Sequence, residues 1–231
     1  MNNQESNQPG VLRVLRTKAE ARAFYNKIAR VYDFLSEKSE EPIRHFGLEQ
    51  LHIKEGERVL EVGFGTGTSL VQLAKLVGAD GKVFGVDIAE QMLDVASQKL
   101  RAEHLEDRVE LMCADTTKLP YQANFVSAIF MSFTLELFDT PEIPMVLAEC
   151  RRVLQSGGRL VVVSMSKEGE DGTLLHLFEW THKHFPNFLD CRPIFARRAI
   201  EAAGFQIESA KRKTMWVPVE IVLGREESDC Y

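Results

Sequence analysis

Glycine stands at three alternate positions, 63, 65 and 67, in the stretch Glu61-Val-Gly-Phe-Gly-Thr-Gly67, directly after the apolar residues Val59, Leu60 and Val62. Glycines so placed let the backbone take positive φ and let a ligand lie directly on the main chain. A strand, a glycine turn and a helix in succession build a nucleotide-sized cradle at the carboxyl edge of an open sheet. Counted from Gly63, the sixth position is Thr68, so the G-x-G-x-x-G pattern that seats a pyrophosphate is not met. Asp87 lies 20 residues beyond Gly67, where a carboxylate ending the second strand accepts ribose hydroxyls. The local alternative for Asp87 is a helix N-cap, and for Asp115, just past the third strand, an Asx-turn. For proton transfer the candidates are His176, Glu136 and Tyr25, with His182 and His184 near the first. His182 and His184 are two apart and would not share a helix face, so no metal site is expected.

The elements that must carry these residues follow from periodicity. Phe24, Ile28, Val31 and Leu35 mark one face of a helix over about residues 17–37, with Tyr25 and Tyr32 on a neighbouring face. A second helix is expected over Glu41–Leu51. Strands are read at Arg58–Val62, Lys82–Val86, Val109–Cys113, Phe125–Met131 and Arg159–Val163. Helices alternate with them: Thr68–Leu76, one carrying Met92, Leu93, Ala96 and Leu100, and one near Pro141–Leu154. A last helix, Ile194–Ala203, precedes two strands, Phe205–Lys211 and Trp216–Leu223, which must run antiparallel to each other. Five βα units and a hairpin predict an α/β fold: a doubly wound, mostly parallel, seven-stranded sheet with right-handed crossovers. Residues 1–16 are expected to be a flexible N-terminus. Residues 17–231 then form one domain, with a helical lid over 17–55 and an aromatic-rich insert over 164–192.

Composition narrows the function. With 231 residues, 45% of them hydrophobic and 27% charged, the chain can bury a substantial core. A net charge of −6 argues against a nucleic-acid binder. Cys113, Cys150, Cys191 and Cys230 are widely spaced without a CxxC pair, and read as reduced thiols of a cytoplasmic protein. The polar first ten residues do not read as a signal peptide, and Phe125–Phe138 is too short and too polar to span a bilayer. Arg13, Arg16 and Lys18 interleave with Val11, Leu12, Val14 and Leu15, a basic amphipathic stretch compatible with peripheral membrane contact.

The ordered set Tyr25–Asp33 (Tyr-Asn-Lys-Ile-Ala-Arg-Val-Tyr-Asp), Glu61–Gly67, Asp87, Asp115 and Leu154–Leu160 (Leu-Gln-Ser-Gly-Gly-Arg-Leu) resembles class I S-adenosylmethionine-dependent methyltransferases. Within them the chain is similar to the UbiE/Coq5-like group, over about residues 20–165. The resemblance implies a Rossmann-like fold, S-adenosylmethionine as cofactor and methylation of a small molecule. It also implies roles. Gly63, Gly65 and Gly67 would line the methionyl end behind Glu61, and Asp87 would bind ribose. Ile88 and Met92 would sandwich adenine, and Asp115 would hold its amino group. Tyr32 would close over the sulfonium, with Thr116 and Ser132 completing the set.

Departures from the group lie at the substrate mouth. Quinone methyltransferases carry Gly-Leu-Arg-Asn after strand four, where this chain has Thr134-Leu-Glu-Leu137. Their Glu-Phe-Ser-Lys after strand five is Ser164-Met-Ser-Lys167 here. The Asn-Pro-Pro-Tyr signature of nucleic-acid amino methyltransferases is replaced by Met131-Ser-Phe-Thr134. The expected acceptor is therefore a small, apolar or amphipathic molecule. The alternatives are a phospholipid head group methylated at a membrane surface, and cofactor binding without turnover.

Overall fold

The computed structural model describes residues 11–14, 16–168, 192–215 and 217–227, with residues 30–39 described by backbone alone. Among the described residues seven strands form one sheet: β1 (Arg58–Val62), β2 (Lys82–Asp87), β3 (Val109–Cys113), β4 (Val126–Ser132), β5 (Leu154–Met165), β6 (Phe205–Thr214) and β7 (Pro218–Glu226). Their order is β3-β2-β1-β4-β5-β7-β6. The first five are parallel. β7 runs antiparallel between β5 and β6. This is the α/β, doubly wound sheet with a reversed strand that the sequence predicts. The order reverses between β1 and β4, and a doubly wound sheet opens its crevice at that switch point, outside the carboxyl ends of the strands.

Helices α1 (Lys18–Gln50), α2 (Thr68–Leu76) and α3 (Glu90–Ala102) cover one face; α4 (Ile143–Val153) and α5 (Ala196–Ala202) cover the other. Alternation along each strand divides the core. Val59, Ala128, Phe130, Val161 and Val163 pack toward Leu70, Leu73, Ala96 and Leu100. Leu60, Val62, Ile129, Met131 and Val162 pack toward Val146, Leu147, Cys150 and Ile200. Strands covered on both faces favour apolar residues on both sides, which explains the adjacent apolar residues Val59-Leu60 in β1 and Ala128–Met131 in β4.

Three expectations are corrected. The two N-terminal helices are one: α1 runs for 33 residues with Pro42 inside it. A proline there removes a helical hydrogen bond and costs about 3 kcal/mol. The carboxyl half of α1 and its C-cap offset this by burying Ile43, Leu48 and the capping Leu51 against the sheet. It lies so close that a Cβ on Gly47 would sit 2.5 Å from Val163 Cγ2. At the other end Thr17 and Glu20 form a reciprocal capping box. Secondly, β5 starts at Leu154, which pairs with Val126, and pairing resumes at Arg159 opposite Ala128; residues 155–158 are a bulge within the strand. Thirdly, β5 continues through Ser164 and Met165, and Ser166 bridges to Ile194, so these residues belong to the sheet and not to the insert. The rest of the insert, residues 169–191, lies outside the described residues, as do the first ten residues and Trp216.

Candidate active site

The glycine turn leaves β1 and enters α2 through three left-handed residues: Gly63 (φ 72°), Gly65 (φ 51°) and Gly67 (φ 84°). Their surroundings differ. A Cβ on Gly63 would lie 2.3 Å from Thr134 Cγ2, and one on Gly67 2.7 Å from Ala96 Cβ, so both are glycine also because neighbours press on them. A Cβ on Gly65 meets nothing within 4 Å. Gly63 and Gly65 line a cavity over the carboxyl ends of β1, β2 and β4, while Gly67 caps α2 and packs on α3.

Asp87, at the end of β2, holds the turn in place. Its Oδ2 accepts the Gly65 N–H at 2.9 Å and its Oδ1 accepts the Ala89 N–H at 3.0 Å. Burial raises its carboxyl above the ordinary value against the pull of these N–H groups. Ile88, Met92, Asp115, Thr116 and Ser132 line the same cavity. The Asx-turn at Asp115 is realised: Oδ1 accepts from the N–H and the hydroxyl of Thr117, at 2.9 and 2.8 Å. Burial of Asp115 is outweighed by Lys18 and Thr117, and its carboxyl lies below the usual range. Of the expected cofactor residues, ten of eleven have described side chains, and Gly67 alone among the ten stands outside the cavity wall; Tyr32 lies outside the described side chains.

The floor of the cavity is charged. Glu61, only 2% exposed, leaves Oε2 without a hydrogen-bond partner. Burial pushes its carboxyl up to about 8, against Arg44 and a hydrogen bond from Ser69. Arg44 projects from α1 with Nε and Nη2 unpartnered, and its Nη1 lies 3.8 Å from Glu40. Burial raises Glu40 to about 7, opposed by Arg44. Unpartnered buried polar groups are costly, so a carboxyl and a guanidinium left open here point to a ligand offering both a cationic donor and an anionic acceptor. Sequence reasoning missed Glu40 and Arg44. A signal existed: Arg44, Gly47, Leu48 and Leu51 follow helical spacing, which puts an arginine in an otherwise buried stripe. The apolar wall also went unnamed: Phe133, Leu137 and Phe138, which join Tyr25.

The three proton-transfer candidates separate. Tyr25 lines the cavity, and His176 lies outside the described residues. Glu136 is fully buried and is not part of the cavity wall. Its Oε1 accepts the Met165 N–H at 3.1 Å, where β4 has ended and cannot. Burial pushes it to about 8. This placement makes it a stitch between the turn after β4 and the end of β5.

Residues 11–14 and 16, expected to be flexible, are strapped beside the cavity. Asp139 accepts two hydrogen bonds from Arg13, at 2.7 and 2.6 Å, and one from the Val14 N–H. Arg192, fully buried, donates to the carbonyls of Leu12 and Glu136 and to Thr140 Oγ1. Lys18 pairs with Asp115 and Glu142, and Arg22 with Glu90. Arg13 and Lys18 of the basic stretch are thus engaged in intramolecular ion pairs at the surface. Among the described residues no helix is long and apolar enough to cross a membrane.

Comparison with known proteins decides the class of this cradle: residues 59–158 match a family model described as a methyltransferase domain. These residues are a methyltransferase domain. The domain runs from β1 into the β5 bulge and holds the glycine turn, Asp87 and Asp115. It is similar to a demethylmenaquinone methyltransferase of Symbiobacterium thermophilum, 33% identical over 151 residues, 63% of this chain and 59% of that protein. A ubiquinone/menaquinone biosynthesis C-methyltransferase UbiE of Teredinibacter turnerae is 34% identical over 147 residues, 62% of this chain and 58% of that protein. The resemblance to the UbiE/Coq5-like group agrees with both. The chain spans under two thirds of the length of either relative. The [4+2]-cyclase SpnF superposes with a TM-score of 0.75 over 95% of this chain and 99% of that chain, at 17% identity. That likeness is one of fold, and a methyltransferase-type fold can carry more than one reaction.

Proposed function

We propose that this protein is an S-adenosylmethionine-dependent methyltransferase acting on a small, apolar or amphipathic molecule. The observation that carries the reading is the pair of buried, unpartnered polar groups lining the cavity beside the glycine turn, Glu61 Oε2 and Arg44 Nε and Nη2. An amino-acid end, with one ammonium and one carboxylate, satisfies both. A dinucleotide offers no such pair. Glu61 would take the ammonium and Arg44 the carboxylate, Asp87 the ribose hydroxyls, and Ile88 and Met92 the faces of the base. Gly65 would leave room for the ligand on the main chain.

The cofactor, when bound, supplies a methyl group on a sulfonium, with a neutral thioether as leaving group. The work left to this chain is to align and to exclude water, and orientation alone is worth roughly 7–11 kcal/mol in well-placed systems. Tyr25, Phe133, Leu137 and Phe138 would wall an apolar acceptor and keep water out. Where that acceptor must lose a proton, Glu40 is the cavity carboxyl placed to take it, since burial poises it near neutrality. The relatives are named for quinone precursors. The aromatic wall suits a planar acceptor, while Thr134–Leu137 differs from the group's motif at that edge. The two unpaired thiols among the described cysteines, Cys113 and Cys150, support a cytoplasmic setting.

Calorimetric titration tests the reading. S-adenosylhomocysteine is expected to bind and NAD is not. Arg44→Met should weaken S-adenosylhomocysteine by about tenfold or more, the worth of one hydrogen bond to a charged group. NAD binding in place of S-adenosylhomocysteine, or an affinity untouched by both Arg44→Met and Glu61→Gln, would sink it. Binding without transfer of labelled methyl to any quinol, phenol, amine or lipid acceptor would leave a cofactor-binding protein without turnover.

A further inference from the structure

Lys18, the first residue of α1, reaches the mouth of the cavity. Its ammonium meets Asp115 Oδ2 at 2.6 Å, Thr117 Oγ1 at 2.9 Å and Glu142 Oε1 at 3.2 Å. Two segments, one past β3 and one ahead of α4, thus supply three oxygens to a single cation. The Asx-turn already takes Asp115 Oδ1. Oδ2 is the oxygen left for a donor arriving from the cavity, and Lys18 sits on it.

We propose that Lys18 is an internal competitor for the base end of the cofactor: its ammonium fills the place on Asp115 Oδ2 that the exocyclic amino group of adenine would take. The inference rests on the proposed function together with the role the family resemblance implies for Asp115, that of holding this amino group. Lys18 holds the start of α1 across the cavity while the ligand is absent and is displaced when it arrives. The Lys18 and Asp115 side chains are 41% and 43% exposed, so salt screens the contact and its worth is modest. A contact of this strength yields to a ligand. It also gives an effect of unusual sign, because removing a positive charge from the wall should strengthen binding.

The test is calorimetric titration of the full chain with S-adenosylhomocysteine, which carries no net charge, at 50 and 300 mM salt. An exposed ion pair of about 0.2–1 kcal/mol predicts that Lys18→Met binds up to about fivefold tighter than the unsubstituted protein at low salt. The ratio between the two should close toward one at high salt. Glu142→Gln, which loosens the cage and leaves Asp115 intact, should shift affinity the same way by less. Equal or weaker binding by a folded Lys18→Met at both salts overturns the inference. Should that variant not fold, equal or weaker binding by Glu142→Gln overturns it instead. If none of the three proteins binds S-adenosylhomocysteine, the proposed function has failed and not the role of Lys18 alone.

Discussion

The glycines of the turn make separate demands, and alanine at each should show it. At Gly65 an added Cβ meets no atom within 4 Å, so Gly65→Ala costs only the left-handed backbone at φ 51°, about 1–2 kcal/mol. Gly67 shares that cost at φ 84°, and its Cβ would also lie 2.7 Å from Ala96 Cβ and 3.1 Å from Ala96 Cα. Forcing apart α2 and α3 adds about 1–3 kcal/mol of overpacking, so Gly67→Ala should lose about 2–5 kcal/mol in all. For a chain of this length each kcal/mol moves Tm by about 2–4 °C. Urea titrations read by circular dichroism, with slopes compared, measure both losses. Affinity should run the other way: Gly65→Arg, whose side chain enters the cavity, abolishes S-adenosylhomocysteine binding, while folded Gly67→Ala retains it. Equal destabilisation by the two alanines, or ligand binding lost from folded Gly67→Ala, refutes the division of labour.

Two further outcomes follow from buried charge. Burial raises Glu61 and Glu136 to about 8 and Glu40 to about 7. The folded chain therefore keeps protons that the unfolded chain sheds at about 4.5. Stability from these groups is full below that value and is lost as pH rises through 7–8. Tm should decline between pH 5 and 8, and Glu136→Gln should flatten the decline; an unchanged slope contradicts the assignment. Arg192→Met should leave the carbonyls of Leu12 and Glu136 unsatisfied, at about 1–3 kcal/mol each. Faster hydrogen exchange at residues 11–14 is the readout, and Arg192→Lys should not restore protection because lysine lacks the planar fork. Unaltered exchange in Arg192→Met removes the buried guanidinium from its role.

Much of this was legible because the signals are local. Val59–Val62, the alternate glycines and Asp87 lie within about 30 residues of one another, and each acts on its neighbours in the chain. The strands of the parallel core were found because apolar runs under two layers have no polar alternation to confuse them. What escaped was decided at long range. Arg192 and Leu12 are 180 positions apart, and no periodicity links them. Glu136 looked like a reactive acid at the edge of a strand, yet the deciding fact is the Met165 N–H it accepts from the next strand. Helix α1 reads as two helices in the sequence, and burial of the stripe after Pro42 against the sheet carries one helix through that proline. The bulge at 155–158 has the composition of a free turn, and only the pairing of Leu154 with Val126 shows otherwise.

Asp87 carries a consequence for anyone scanning this region by mutagenesis. The carboxylate proposed to take the ribose hydroxyls is also the strut between Gly65 and Ala89, so the turn is shaped before anything enters the pocket. An Asp87→Ala protein that fails to retain an adenosyl compound would have lost a contact and a template together. The two losses come apart only if the turn is inspected with the pocket empty, for instance by backbone amide shifts at Gly65 and Ala89.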